Sequence, residues 1–224
     1  MKNLLRLLVL GTSLGAGLAM VAAVLDLPAP AGDLPARVGA QLPASGVKHP
    51  VTAVLLNFRG YDTLLEVAVL LLAILGILAG AGTPASGRPM SMRPQPTLQA
   101  LARLLVPPMI VVSGYLLWVG AHAPGGAFQA AAVLGGAAVL LRMAGSAGSW
   151  AAPRAALRLG LATGFMIFLG VAAAGLGTGQ LLRYPPALAG GLILLIETGL
   201  TVSLGLVLAG LFLWQPHESR KDRP

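Results

Sequence analysis

The hydrophobic pattern of this chain is not one of short alternations but of long continuous apolar runs separated by stretches rich in proline and glycine. Runs near twenty residues fall at about Leu4–Val24, Asp62–Ala79, Arg103–Gly120, Ala127–Met143, Ala156–Leu176 and Leu188–Leu213. Each has the length of a membrane-spanning helix, which predicts six spans. A barrel would show alternating segments instead, and the demand that every backbone group be paired inside lipid leaves helices. The expected fold class is therefore all-α, a polytopic integral membrane protein with about six transmembrane helices.

Two breaker-rich stretches interrupt the runs. Asp26–Pro50 carries Pro28, Pro30, Pro35, Pro43 and Pro50 and reads as an extended extramembrane loop, and Gly80–Thr97, with Pro84, Pro89, Pro94 and Pro96, reads as a linker between two halves. The first run follows Lys2 and Arg6 and ends in small residues around Met20–Ala23, a pattern shared with secretory signal peptides, and it is counted here as a span. Gly11/Gly15 and Gly160/Gly164 have the four-residue spacing that lets helix backbones approach, in a dimer face or in internal packing.

Composition agrees with the pattern. Of 224 residues 56% are hydrophobic and 10% charged, and the mean hydropathy is +0.83, too little polar surface to cover a water-soluble globule. The net charge of +8 reads as topology and headgroup contact rather than nucleic-acid binding. Arg37, Lys48, Arg59 and Arg183 fall on one side of the six spans and all other Lys and Arg on the opposite side, so the positive-inside rule places both termini in the cytoplasm. Cysteine is absent and the three histidines are scattered. No metal site or other cofactor is expected, and redox centres, if the protein serves a redox machine, belong to partner subunits. No nucleophile elbow, phosphate loop, zinc motif or dinucleotide fingerprint occurs, so no enzyme chemistry is expected.

Three polar constellations stand out in this apolar background. Arg59, Asp62 and Glu66 open the second span; Gly60 breaks the chain just before Asp62 can act as N-cap, and Asp62 and Glu66 share a face near the positive helix end. They form either an interfacial cap with an Arg59–Asp62 ion pair or, for the deeper Glu66, part of an ion path. Glu197 is the tenth residue of the last span, roughly 14 Å into a hydrocarbon core about 30 Å thick, with no other Lys, Arg, Asp, Glu or His in Leu188–Leu213. A carboxyl at that depth is either a proton-relay or cation-binding group, or a neutral acid bonded to a neighbouring helix, to Thr198 or to Thr201. Finally, His122-Ala-Pro124-Gly125-Gly126-Ala-Phe128-Gln129 makes a tight hairpin between the third and fourth spans, as a plain turn or as a gate with His122 and Gln129 at the rim.

Two of these segments resemble a known family. VTAVLLNFRGYDTLLEVAVLLLAILGIL resembles the hydrogenase-E-like region found at the C-terminal end of the large A subunit of Mrp-type (Mnh) cation/proton antiporters and as a separate subunit of energy-converting hydrogenases. The core of this likeness is Phe58, Arg59, Gly60, Tyr61, Asp62, Thr63, Leu64 and Glu66. GAHAPGGAFQAAAVLGGAAVLL resembles the B subunit of the same antiporters (MnhB), whose pattern is closer to His-Asn-x-Pro-Gly-Gly-Gly-Phe; Ala127, Ala130 and Ala131 depart from it. The departure at Ala127 implies that positive φ is not obligatory there. Glu197 stands where the B subunit's final helix often has an acidic residue.

The resemblance implies a fusion: a two-span E-like region (residues 1–82), a cytoplasmic linker (83–97) and a four-span MnhB-like domain (98–224). It further implies a non-catalytic subunit of a multi-subunit Na⁺/H⁺ antiporter in a prokaryotic cell membrane. Its partners would be the A, C, D, E, F and G type subunits, with Na⁺ and H⁺ as the transported ions, and Glu66 and Glu197, with Asp62 and Arg59, would lie on the ion path. The alternative is a membrane-arm subunit of a redox-driven ion pump related to energy-converting hydrogenases and complex I.

Overall fold

The computed structural model describes residues 2–27, 32–80, 95–146, 155–178, 181–182 and 184–214, mostly helical with turns and short connections, with no strand among them. Most of the expected linker, with Arg88 and Arg93, lies outside the described residues, as do Arg183 and the C-terminal basic cluster. The chain divides into two units, residues 1–37 and 38–224. The first holds α1 (Lys2–Leu25), an apolar helix with exposed side chains whose Thr12 hydroxyl bonds the Leu8 and Val9 carbonyls.

Helix α2 (Leu34–Ser45) occupies part of the stretch expected to be an extended loop, and this is a correction. The prolines permit it. Asp33 caps the helix, its Oδ1 accepting the Ala36 amide at 3.2 Å, and Pro35 stands in the first turn, where no intrahelical amide is required. Pro43, near the other end, costs only one late hydrogen bond.

In the second unit, a short α3 (Pro50–Ala53) runs into a single π-turn (Val54–Phe58), then α4 (Gly60–Gly80). After these come α5 (Pro96–Val119), α6 (Ala127–Met143), α7 (Ala155–Ala174) with a 3₁₀ turn (Gly175–Thr178), and α8 (Pro186–Leu213). Among the described residues five helices are long and apolar enough to cross a membrane (α1, α4, α5, α7, α8), while α6, expected as a sixth span, is shorter at 17 residues. At about 1.5 Å per residue α6 is roughly 25 Å long.

Helix α8 is the hub. It carries thirteen buried residues, and α4, α6 and α7 all pack on it. Its glycines and serine set the approach. Gly135 of α6 lies over Gly205, and Gly164 of α7 over Gly199 and Ser203, so closely that a Cβ at Gly164 would be 2.8 Å from the Gly199 carbonyl. Such small-residue crossings are how helices gain contact where lipid offers no hydrophobic drive. Two cross-helix hydrogen bonds add to them: Ser203 Oγ to Leu161 O at 2.6 Å, and Ser113 Oγ of α5 to Ala130 O of α6 at 2.8 Å. The Gly160/Gly164 spacing thus serves internal packing.

The paired positions fix direction. Ala127 meets Glu197 and Gly135 meets Gly205, an equal advance on both helices, so α6 and α8 run parallel. Helix α4 is parallel to them as well: Gly60 lies beside Leu182 and Ile74 beside Gly210. Helices α5 and α7 run the opposite way. Arg103, Arg142 and Arg158 consequently lie at one end of the bundle, and Lys48 and Arg59 at the other, the segregation expected from the sequence.

Candidate functional site: a buried carboxyl beneath the glycine hairpin

Because α6 begins level with Glu197, the twelfth residue of α8, the start of α8 extends roughly 16 Å beyond the α5–α6 hairpin. The space above the hairpin is filled by the segment joining α2 to α4. Gly46, at φ +73°, sits against Pro186 and Ala189, where a Cβ would be 2.6 Å from the Pro186 carbonyl. Thr52, 6% exposed, donates its hydroxyl to Gly120 O at 2.6 Å, and Asn57 Nδ2 donates to Ser45 O at 2.8 Å. The two stretches singled out in the sequence are therefore in direct contact, through a threonine that sequence reasoning passed over.

The π-turn has a local cause and a local remedy. The Arg59 amide reaches back five residues to Val54 O, and Thr63 Oγ1 crosses the break to take Leu55 O at 2.6 Å. Helix α4 then starts at Gly60, so Asp62 lies inside its first turn rather than at the N-cap position expected from the sequence. Asp62 pairs with Arg59 as expected, in an exposed ion pair worth under about 1 kcal/mol. Glu66 is exposed on the same outer face of α4.

In the hairpin, Gly126 takes φ +106°, ψ −174°, backbone open essentially to glycine alone. Gly120 is needed for a different reason: a Cβ there would be 2.5 Å from the Gly126 nitrogen. The Gly126 amide closes the loop on Leu116 O at 2.8 Å. His122, Pro124 and Gln129 are exposed, with the His122 ring 6.0 Å from that of Trp118, while Phe128 packs on the core around Phe168 and Ile196. Ala127 is the first residue of α6, where a Cβ fits, which explains how alanine replaces the third glycine.

The same turn meets Glu197. Its side chain is buried, 5% exposed, and lies within reach of the backbone amide of Ala127, while a Cβ on Gly126 would lie 2.8 Å from Oε1. Gly126, the N-cap of α6, has no side chain to satisfy the helix's first amides; the carboxyl of α8 faces them from across the interface. An anionic group there also faces the positive end of α6. The hydroxyls of Thr198 and Thr201 are engaged with the carbonyls of Leu194 and Glu197 instead. Glu66 does not share this pocket; the two glutamates considered together in the sequence sit on different surfaces, one outward and one enclosed.

Tyr184, just before α8, is 6% exposed and its hydroxyl has no hydrogen-bond partner among the described residues. Burial pushes the phenol up to about 12. Nothing in the sequence around Tyr184 marked it.

Residues 97–213, more than half of the chain, match the family described as a domain related to the MnhB subunit of the Na⁺/H⁺ antiporter. The chain belongs to this MnhB-related family. The matched region contains the glycine hairpin and Glu197. Among solved structures, the chain is similar to one in the Mrp complex from Dietzia sp. DQ12-45-1b, with 24% identity and a TM-score of 0.70; the match covers 98% of this chain and 26% of that one. It thus spans about a quarter of the length of that chain. A second similar chain belongs to the membrane-bound sulfane sulfur reductase, an archaeal respiratory membrane complex, with 24% identity and a TM-score of 0.73 over 94% of this chain and 97% of the other. At such identities the likeness is one of fold. No curated protein matches this chain.

Proposed function

We propose that this MnhB-related chain is a non-catalytic membrane subunit of a multi-subunit monovalent cation/proton antiporter, in which Glu197 is the carboxyl of an ion path closed on one side by the glycine hairpin. The observation that carries the reading is the enclosed Glu197 under Gly126, in contact with the Ala127 amide. Ionised, the carboxyl is held by the end of α6 and can take a monovalent cation; protonated, it is neutral, so one group serves both exchanged ions. Glu66, with Asp62 and Arg59, lies on an exposed face that suits a continuation of the path at an interface with partner subunits of the A, C, D, E, F and G types. His122 and Gln129 form the rim of the gate. The division into an E-like region, a linker at 83–97 and an MnhB-like domain belongs to the same proposal, as do cytoplasmic termini in a prokaryotic inner membrane.

The test is Glu197→Gln in the assembled complex, assayed as cation-dependent pH-gradient collapse in everted vesicles. Exchange should be lost while partner subunits still co-purify. Full exchange by this variant refutes the role. The second reading, a membrane arm of a redox-driven pump, is favoured by the similarity to nearly the whole of a chain from a respiratory complex. Co-purification of cluster-bearing subunits would select it, and antiporter-type subunits alone would select exchange.

A further inference from the structure

At the opposite end of the bundle from the hairpin, α5, α6 and α8 leave an open-sided cavity of about 210 Å³. Its wall is apolar throughout: Val106 and Ile110 from α5, Leu134, Ala138 and Leu141 from α6, and Leu206 from α8. Small residues hollow it out. A Cβ on Gly205, also in the wall, would already touch Leu134. The volume exceeds that of the apolar cavities of about 150 Å³ that stay dry and hold a benzene-sized molecule. Pro107 and Pro108 lie in α5 beside it, and each removes an amide from the helix, so the carbonyls of Arg103 and Leu104 lack their usual partners.

The mouth of this groove is basic. Arg103 precedes Val106 by three residues and Ile110 by seven, and Arg142 follows Ala138 by four and Leu134 by eight, so both arginines share the helix faces that line the cavity. Antiparallel α5 and α6 bring them to the same end, where Val106, Ala137 and Ala144 pack together. Arg103 is exposed and Arg142 half-buried, and no acidic residue occurs in α5 or α6. An apolar groove in the membrane-embedded part of the helices, ending in two arginines at headgroup level, matches one kind of molecule in chain and charge.

We propose that the α5–α6–α8 groove is a binding site for an anionic phospholipid, with an acyl chain against Ile110, Leu134 and Leu206 and the headgroup phosphate between Arg103 and Arg142. A lipid held there would fill a space that helix packing leaves open on the flank of α8, the helix that also carries Glu197. The site is independent of the transport role proposed above.

The test uses the full chain with its co-purifying subunits in a delipidating detergent, titrated with dioleoylphosphatidylglycerol or dioleoylphosphatidylcholine and read by native mass spectrometry. The anionic lipid should be retained about 30-fold more tightly, the joint effect expected of two basic residues at headgroup level. Arg103→Gln with Arg142→Gln should remove that preference. Ala138→Phe changes no charge, fills the groove, and should weaken both lipids. Equal retention of the two lipids, or undiminished phosphatidylglycerol binding in either variant, overturns the proposal. So does photocross-linking of a partner subunit's helix by a benzophenone maleimide attached at Ala138→Cys, which would make the groove a protein interface.

Discussion

Gly126→Ala is the sharpest probe of the buried carboxyl. Two costs can be worked separately from the geometry. The backbone at φ +106°, ψ −174° is a glycine conformation, and forcing alanine into it costs on the order of 1–3 kcal/mol. The added Cβ would also lie 2.8 Å from Glu197 Oε1, so the carboxyl must retreat from the amide end of α6; polar contacts to a charged group contribute about 1.5–3 kcal/mol. The sum is roughly 2.5–6 kcal/mol, which reaches the severe end for a point substitution. Reversible unfolding of the purified chain in mixed micelles would measure it, and a double-mutant cycle with Glu197→Ala separates the parts. With the carboxyl gone, Gly126→Ala should retain only its backbone cost, so the coupling should be about 1.5–3 kcal/mol. Additive effects would mean that Glu197 does not lie over Gly126, and with that the account of the site would fall. Gly76→Ala and Gly170→Ala, whose added Cβ atoms meet nothing within 4 Å, are the controls and should be neutral or slightly stabilising.

Two other substitutions test neighbouring contacts. Thr52→Val removes the hydroxyl that holds Gly120 O and should destabilise the hairpin end by about 1–3 kcal/mol, seen as faster amide hydrogen exchange at residues 120–126; unchanged exchange would argue against the contact. Tyr184→Phe deletes a buried hydroxyl that has no partner among the described residues and should leave the unfolding midpoint the same or higher. In the wild type the Tyr184 phenol is held up to about 12 while the unfolded chain ionises near 10. The contribution of this group to stability is therefore complete below pH 10 and is lost as pH rises from about 10 to 12, because only the unfolded form gives up its proton there. An ultraviolet pH titration of wild type against Tyr184→Phe reads the group directly.

The apolar runs of this chain sufficed to determine that it is helical, where most of its long helices lie, and that the strand class is empty among the described residues, because lipid-length runs and backbone pairing leave no alternative. The basic residues likewise foretold which helix ends lie together. Local turn chemistry was legible too: Pro-Gly-Gly made a tight turn in which glycine is free to take positive φ, and Gly126 does. Where the sequence misled, nearby chemistry outweighed composition. Asp33 and a first-turn Pro35 make a helix of a proline-rich stretch, and a π-turn shifts the start of α4 so that Asp62 falls inside its first turn instead of capping it. What no window of sequence contains is the parallel stagger of α6 against α8. That stagger alone sets Glu197, seventy residues from the hairpin, at the amide end of α6, and seats Thr52 on Gly120. Depth along a helix follows from counting residues, but the partner a buried carboxyl finds there depends on which small residues let which helices touch, and that is decided only when the bundle packs.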